Sequence, residues 1–120
     1  QKEQKMRKVT REIVKAFRNG KAKSIAATYT TGNEVYLHQN KIAWRDYDGV
    51  KFNMCGWGSV TTRERINGML EEFGYPYWGI SQRKGKQCLV YKAKVVEVIE
   101  TRETISLRDL DVWEREYNLA

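Results

Sequence analysis

The residues of this sequence that are best suited to chemistry are cations, and they are concentrated at its beginning. Residues 1–23 contain nine lysines and arginines and two glutamates, so this segment alone carries +7, which equals the net charge of the 120-residue chain. Such side chains neutralise phosphates and release counterions, which predicts salt-sensitive binding to DNA or RNA. The residues assigned to this contact are Lys5, Lys8, Arg11, Lys15, Arg18, Lys21 and Lys23. The alternative is a solvated helix face.

Neither a catalytic site nor a metal site is predicted. His38 is the sole histidine, and no carboxylate is expected opposite it to orient the imidazole for acid–base catalysis. With two cysteines, Cys55 and Cys88, and one histidine, four zinc ligands of these types cannot be assembled, so both thiols are expected to be core residues or free. We therefore expect a protein that is not an enzyme and that uses no cofactor.

The element that must present the basic segment is a helix over about residues 5–19. Apolar residues recur at helical spacing and form one face, which consists of Met6, Val9, Ile13 and Phe17. Most of the cations fall away from that stripe. Asn19-Gly20 is typical of a helix end, because glycine adopts the left-handed capping conformation without penalty.

A meander of antiparallel strands is predicted over about residues 23–56. The segment KSIAATYTT is expected to form one strand, with turns at Gly32-Asn33 and Gln39-Asn40, and Asp48-Gly49 is the strongest hairpin signal. Alternation predicts a core face made of Val35, Leu37, Ile42, Trp44, Val50, Phe52 and Met54.

The opposite face of this predicted sheet is polar and offers a second surface for nucleic acid. It holds Tyr36, His38, Arg45, Lys51 and Asn53. The rings of Tyr36 and His38 could stack on bases, as single-strand binders do on open sheets. Arg45 and Lys51 could hold phosphates. The alternative is an ordinary solvated face of an antiparallel sheet.

Two further helices and a hairpin are predicted after the meander. Thr61 and Glu64 have the spacing of a capping box and open a helix over residues 61–74, with Arg63 beside a helix N-terminus that could receive an anion. The alternative is that Thr61 is a plain N-cap and that Trp57 anchors the core. A hairpin follows over about residues 77–99, whose second half is one long strand or two, and then a helix over about residues 106–118.

These elements together predict a single domain over residues 1–120. The class is α+β, with a meandering antiparallel sheet of about five to six strands and helices mainly on one face. The sequence contains one proline and no Gly/Ser-rich run that could serve as a linker. No apolar stretch approaches the roughly 18–20 residues that a membrane-spanning helix requires.

Two stretches resemble a family of small proteins from tailed bacteriophages. They are EVYLHQNKIAWRDYDGVKF and CGWGSVTTRERINGML, and the segment TREIVKAFRNGKAK is similar to the usual beginning of that family. The resemblance covers about residues 6–74 and departs from the family pattern at Gln39 and Ile66. It implies an accessory protein made in the cytoplasm of a bacterial host, and it carries over no catalytic residue.

The function predicted from these features is nucleic-acid binding without catalysis. The basic helix is the main contact, and the polar sheet face, with Arg63, adds to it. The alternative, which a phage origin favours, is stoichiometric inhibition of a host protein such as a nucleic-acid-handling defence complex. The acidic C-terminal segment is expected either to cap the fold or to pair with the basic helix of a second copy, which would produce a homodimer.

Overall fold

The computed structural model describes residues 2–119, which form three helices and nine strands. The helices are α1 (Lys2–Arg18), α2 (Val60–Glu72) and α3 (Leu107–Glu116). The strands are β1 (Lys23–Ile25), β2 (Thr28–Thr30), β3 (Glu34–Leu37), β4 (Asn40–Asp46), β5 (Gly49–Phe52), β6 (Trp78–Arg83), β7 (Lys86–Tyr91), β8 (Lys94–Ile99) and β9 (Ile105–Ser106). The predicted α+β class is confirmed.

The strands form two antiparallel sheets. The first has the order β1-β2-β3-β4-β5-β9, so five consecutive strands form a meander and β9 joins it beside β5. The second has the order β6-β7-β8. The segment predicted as one long strand or two is two, because Lys92 and Ala93 have φ of 50° and 68° and reverse the chain.

Three turns differ from the sequence prediction, and one is the β4–β5 turn, which is formed by Tyr47 and Asp48 because Asp46 pairs with Gly49. KSIAATYTT is not one strand, since the chain reverses between β1 and β2, where Ala26 has φ of 53°. The turn between β3 and β4 is formed by His38 and Gln39, with φ of 50° and 69°, because Leu37 pairs with Asn40. His38 therefore lies in a turn, and the predicted position of that turn was wrong by one residue.

A bulge in β4 shifts the predicted alternation. Tyr36 pairs with Lys41, whereas the preceding Val35 pairs with Ala43, so Ile42 is an extra residue on β4. Ile42 and Ala43 are both buried, although they are neighbours in sequence. Every side chain of β4 after the bulge points to the face opposite the predicted one, because the side-chain period of a strand is two.

Trp44 and Arg45 exchange faces as a result. Trp44 pairs with Lys51 and shares its face, whereas Arg45 pairs with Val50, whose side chain is buried in the core. The predictions that Trp44 belongs to the core and that Arg45 belongs to the polar face were therefore wrong. The sheet face that carries Tyr29, Tyr36, Lys41, Trp44 and Lys51 is called the open face below.

The helices contribute to one hydrophobic core with the other face of the first sheet. Its fully buried side chains include Ile13, Phe17, Phe52, Met54, Ile66, Leu70 and Leu110. The second sheet adds Trp78, Ile80 and Leu89 to the same core. None of the three helices described here has the length and hydropathy that crossing a lipid bilayer would require.

The helix caps agree with the sequence at one helix and differ at another. α2 is capped by Ser59, whose hydroxyl accepts from the Thr62 N–H at 3.1 Å, so the capping box predicted at Thr61 was wrong. At α3 the Ser106 hydroxyl accepts from the Asp109 N–H at 3.1 Å, and the Asp109 carboxylate accepts from the Ser106 N–H at 2.9 Å. This second capping box has the predicted spacing.

Arg65 connects α2 to α1 and to the first sheet. It is 8% exposed, and burial lowers its pKa. Its Nε donates to Thr28 Oγ1 at 3.1 Å, and its Nη1 donates to Thr10 Oγ1 at 2.7 Å and to the Met6 carbonyl at 3.1 Å. These bonds fix α1 in place through neutral acceptors, which offset part of the cost of burying the guanidinium.

We expect Gly68→Ala to destabilise the protein at the crossing of α1 and α2. An added Cβ would overlap Thr10 Cγ2, and Thr10 cannot rotate away without breaking its bond to Arg65. Overpacking costs about 1–3 kcal/mol, against about 1 kcal/mol gained from the higher helix propensity of alanine. Urea denaturation should show a net loss, and Thr10→Ser, which removes Cγ2, should restore part of it. Equal stability of Gly68→Ala and the wild type would contradict the overlap.

Candidate nucleic-acid interface

α1 presents its cations to solvent because its other side is buried in the core. Ile13, Val14 and Phe17 are at most 2% exposed. All the cations predicted in this region are exposed: Lys5, Lys8, Arg11, Lys15, Arg18, Lys21 and Lys23. The local sequence therefore produces the predicted basic surface.

Two of these cations have acidic partners. Arg18 Nη1 lies 3.5 Å from Glu72 Oε2, and Lys23 Nζ lies 2.9 Å from Glu12 Oε1. The hydrogen bond from Lys23 and its charge hold the pKa of Glu12 below its usual value. Such exposed pairs stabilise a fold little, but they leave less net charge for a ligand at these two positions.

A third cation lies near acidic side chains without pairing. Arg11 and Arg7 line a groove between α1 and α2 whose opposite wall includes Glu64 and Glu71. Among the side chains that the structure describes, no acidic group lies within 4 Å of Lys5, Lys8, Lys15 or Lys21. We call these four residues the lysine patch. It is narrower than the predicted basic surface, and it is the part that forms no ion pair among the described side chains.

The open face carries aromatic rings that the sequence analysis assigned only in part. Tyr29 and Tyr36 pair across β2 and β3 with their rings stacked at 4.8 Å. Lys41 Nζ lies 5.0 Å from the centre of the Trp44 ring. Tyr29 and Trp44 were missed: Tyr29 was signalled only by its alternation with Thr28 and Thr30, and the bulge that exposes Trp44 has no signal in the sequence.

The two sheet cations predicted to hold phosphates are engaged within the protein. Arg45 donates to the Phe17 and Gly32 carbonyls at 2.9 Å each, and its guanidinium lies 4.6 Å from the centre of the Phe17 ring. It thus caps the C-terminal end of α1, where positive charge is favoured. Lys51 lies 2.8 Å from Asp46 and 3.8 Å from Asp48, and its hydrogen bond to Asp46 raises its pKa.

Arg63 and His38 lie apart from the lysine patch. Arg63 Nη1 donates to the Gly58 carbonyl at 3.0 Å, to Gln87 Oε1 at 3.1 Å and to Gln82 Oε1 at 3.2 Å, so it joins the beginning of α2 to the second sheet. His38 is exposed in the β3–β4 turn and borders a pocket beside Trp57. Trp57 is 62% exposed, so its predicted role as a core anchor was wrong.

The two predicted surfaces, the basic helix and the sheet face, are not contiguous. α1 covers the core face of the first sheet, so the lysine patch and the open face lie on opposite sides of that sheet. A ligand on α1 would have to pass around the edge of β1 to reach Tyr36.

The acidic C-terminal segment contacts its own chain. Asp109 belongs to the capping box of α3, and Asp111 Oδ2 accepts from the Tyr75 hydroxyl at 3.0 Å. Burial is the larger cause and the hydrogen bond to Asp111 the next, and together they raise the pKa of Tyr75 to about 12. These contacts hold α3 against the segment that follows α2. Pairing of this segment with a second copy stays a prediction.

Metal ligands and thiols complete the inventory of reactive groups. Within the described side chains, no three histidine, cysteine, aspartate or glutamate residues are placed to hold a metal ion. Cys88 is buried and Cys55 is half-buried, and both are free thiols. Burial raises the pKa of Cys55, and its Sγ donates to the Lys41 carbonyl at 3.0 Å.

These observations define a small α+β protein with a basic helix on one side and an aromatic sheet face on the other. The chain belongs to the Kyanoviridae Gp96 protein family, a bacteriophage family whose model matches residues 6–112. The predicted phage relationship is thus confirmed over a longer stretch than the residues that suggested it, although the motifs quoted for it stay a prediction. Comparisons with curated proteins and with solved structures gave no significant match.

Proposed function

We propose that this phage protein binds nucleic acid through the lysine patch, without catalysis, inside the infected cell. The observation that carries the proposal is the position of Lys5, Lys8, Lys15 and Lys21 on the surface of α1 and just after it, with no acidic group within 4 Å among the described side chains. Positive charge in this arrangement attracts a polyanion, and phosphate contacts depend little on the base sequence of the nucleic acid.

The remaining charges support the choice of α1 over the open face. On the open face, Lys51 is held between Asp46 and Asp48, and Lys41 lies 3.9 Å from Glu34. Each cation there already has an anionic neighbour that a phosphate would have to replace. The charge of Lys8 helps to lower the pKa of Glu12, but no lysine of the patch has an acidic group within 4 Å among the described side chains, so contact with phosphate replaces no ion pair there.

The proposal is tested by anisotropy titrations of labelled single- and double-stranded DNA and RNA at two salt concentrations. Four phosphate contacts on duplex DNA predict a loss in affinity of about 100-fold between roughly 50 and 200 mM salt, and somewhat less on single strands. Binding at low salt with this dependence is the expected result.

No binding at roughly 50 mM salt, where phosphate contacts are strongest, would overturn the proposal. The function left to test would then be stoichiometric inhibition of a host protein. Tight binding that salt leaves unchanged would contradict the lysine patch as the contact, because counterion release could not be its source.

A further inference from the structure

The backbone around Trp57 is held by hydrogen bonds and close contacts, whereas the residue itself is 62% exposed. The Gly56 N–H donates to the Thr101 carbonyl at 2.9 Å, and the Trp57 N–H donates to the Met54 carbonyl at 3.0 Å. A Cβ at Gly56 would meet the Arg102 guanidinium, and one at Gly58 would meet the Gln87 amide. The backbone that carries the ring is therefore preorganised, which lowers the entropic cost of binding against it.

A pocket of about 470 Å³ opens beside this ring. Its apolar lining comes from Leu37, Ile42, Met54 and Trp57. Its polar lining comes from His38, Asn40, Ser59, Thr61 and Thr62. An apolar lining with a few polar groups, in this range of volume, is typical of sites for small ligands and for single groups of larger ones.

The charges around the pocket indicate an anionic ligand. An adjoining groove shares Asn40 with the pocket and is also lined by Lys41, Trp44 and Arg102. No carboxylate lines the pocket or the groove, but Lys41 lies 3.9 Å from Glu34, so Arg102 is the cation of the groove that has no acidic group within 4 Å among the described side chains. The Arg102 guanidinium lies against Gly56, so this cation of the groove stands next to Trp57 at the rim of the pocket.

We propose that this pocket binds a nucleotide, with the base against Trp57 and the phosphate towards Lys41 and Arg102. The base would fill the apolar space, and the polar side chains at the rim could pair with its edge. The proposal concerns a site separate from the lysine patch and does not depend on it. The nucleotide could be free or part of a single strand.

The test uses the full chain labelled with ¹⁵N, whose four tryptophans give four indole signals. The probes are nucleoside 5′-monophosphates, the corresponding nucleosides and a ten-residue single strand. Each probe is expected to shift the Trp57 indole signal. This signal is assigned as the one that is missing from the spectrum of the Trp57→Ala variant. Free monophosphates that shift it show a site for a free nucleotide, and a shift by the strand alone shows a site for a nucleotide within a chain.

Affinity measurements locate the two parts of the ligand. Trp57→Ala should weaken binding roughly 10- to 100-fold, the usual effect of losing one stacked base. Tyr47→Ala, which removes a fully exposed ring at the β4–β5 turn, is the matched control and should have no effect. Arg102→Glu should weaken binding of the monophosphate and leave the affinity for the nucleoside unchanged.

Three results would overturn the proposal. One is the absence of any Trp57 shift with every probe, and another is an unchanged affinity of Trp57→Ala while its unfolding curve matches the wild type. The third is equal weakening of nucleoside and monophosphate by Arg102→Glu. Lys5, Lys8 and Lys15 are not part of this site. A negative result for the pocket therefore leaves the proposed function of α1 unaffected, and a negative result for α1 leaves the pocket proposal unaffected.

Discussion

Reversing three charges of the lysine patch, with Lys5→Glu, Lys8→Glu and Lys15→Glu combined, should weaken nucleic-acid binding at least about 100-fold at low salt. Each substitution removes one phosphate contact and adds a repulsive charge. The slope of log affinity against log salt should become shallower by roughly 2–3. Arg11 is kept, since it faces Glu64 and Glu71 and its reversal would set like charges together. Substitution is preferable to deletion of α1, because Ile13 and Phe17 belong to the core.

A matched control distinguishes the position of the charges from their number. Lys84→Glu, Lys86→Glu and Lys94→Glu change three exposed lysines, one in the β6–β7 turn and two on strands of the second sheet. Both variants go from +7 to +1, since three reversals remove six charges. If general attraction dominates, the two variants should lose affinity equally, and that result would contradict a specific role for the lysine patch. Lys8→Glu places a like charge one turn from Glu12, so the patch variant is expected to lose less than about 1 kcal/mol of stability, and the unfolding curve of the control should match the wild type.

Asn67→Ala should be the most destabilising single change among those considered, by about 2–5 kcal/mol. The Asn67 side chain donates to the Ile80 carbonyl at 3.1 Å and accepts from the Ile80 N–H at 2.7 Å. Ile80 is 3% exposed and lies on β6, an edge strand of the second sheet. Asn67 therefore acts as the neighbouring strand at that position, and its removal leaves the N–H and C=O of this buried residue without their protein partner.

The measurement is urea denaturation, with two further variants. Asn67→Asp keeps an acceptor for the Ile80 N–H but places a carboxylate oxygen against the Ile80 carbonyl, so it should also destabilise the protein. Glu71→Ala, an exposed change on the same helix, should alter stability by less than about 0.5 kcal/mol. A similarly small effect of Asn67→Ala would show that solvent replaces the side chain and would refute its role as a strand partner.

Some of the fold follows from local patterns that need no tertiary context. The helical spacing of Ile13 and Phe17 predicted α1 and its exposed cations, because an amphipathic stripe has to be buried on one side. Asp48-Gly49 predicted the β4–β5 hairpin, whose turn lies one residue earlier at Tyr47-Asp48, and Ser106 with Asp109 predicted the cap of α3. These signals depend on neighbouring residues only, so contacts between distant segments do not change the type of element that they predict.

Other parts of the candidate sites depend on contacts between distant residues. The bulge at Ile42 arises from pairing with β3, and it places Trp44 on the open face and Arg45 against α1. No property of Arg45 or Trp44 distinguishes this outcome from the regular alternation that predicted the reverse. The exposed position of Trp57 depends equally on distant partners, since Thr101 and Gln87 fix its neighbours.

The sequence by itself determined the α+β class, the basic helix and the charge that favours a polyanionic ligand, because periodicity and charge are properties of the chain. Only the tertiary structure decided which cations have acidic partners. Arg18 lies beside Glu72, and Lys51 lies beside Asp46. It also decided that the lysine patch and the open face lie on opposite sides of the first sheet. The physical reason is that ion pairs, bulges and pockets depend on which distant segments meet, and local spacing does not encode this.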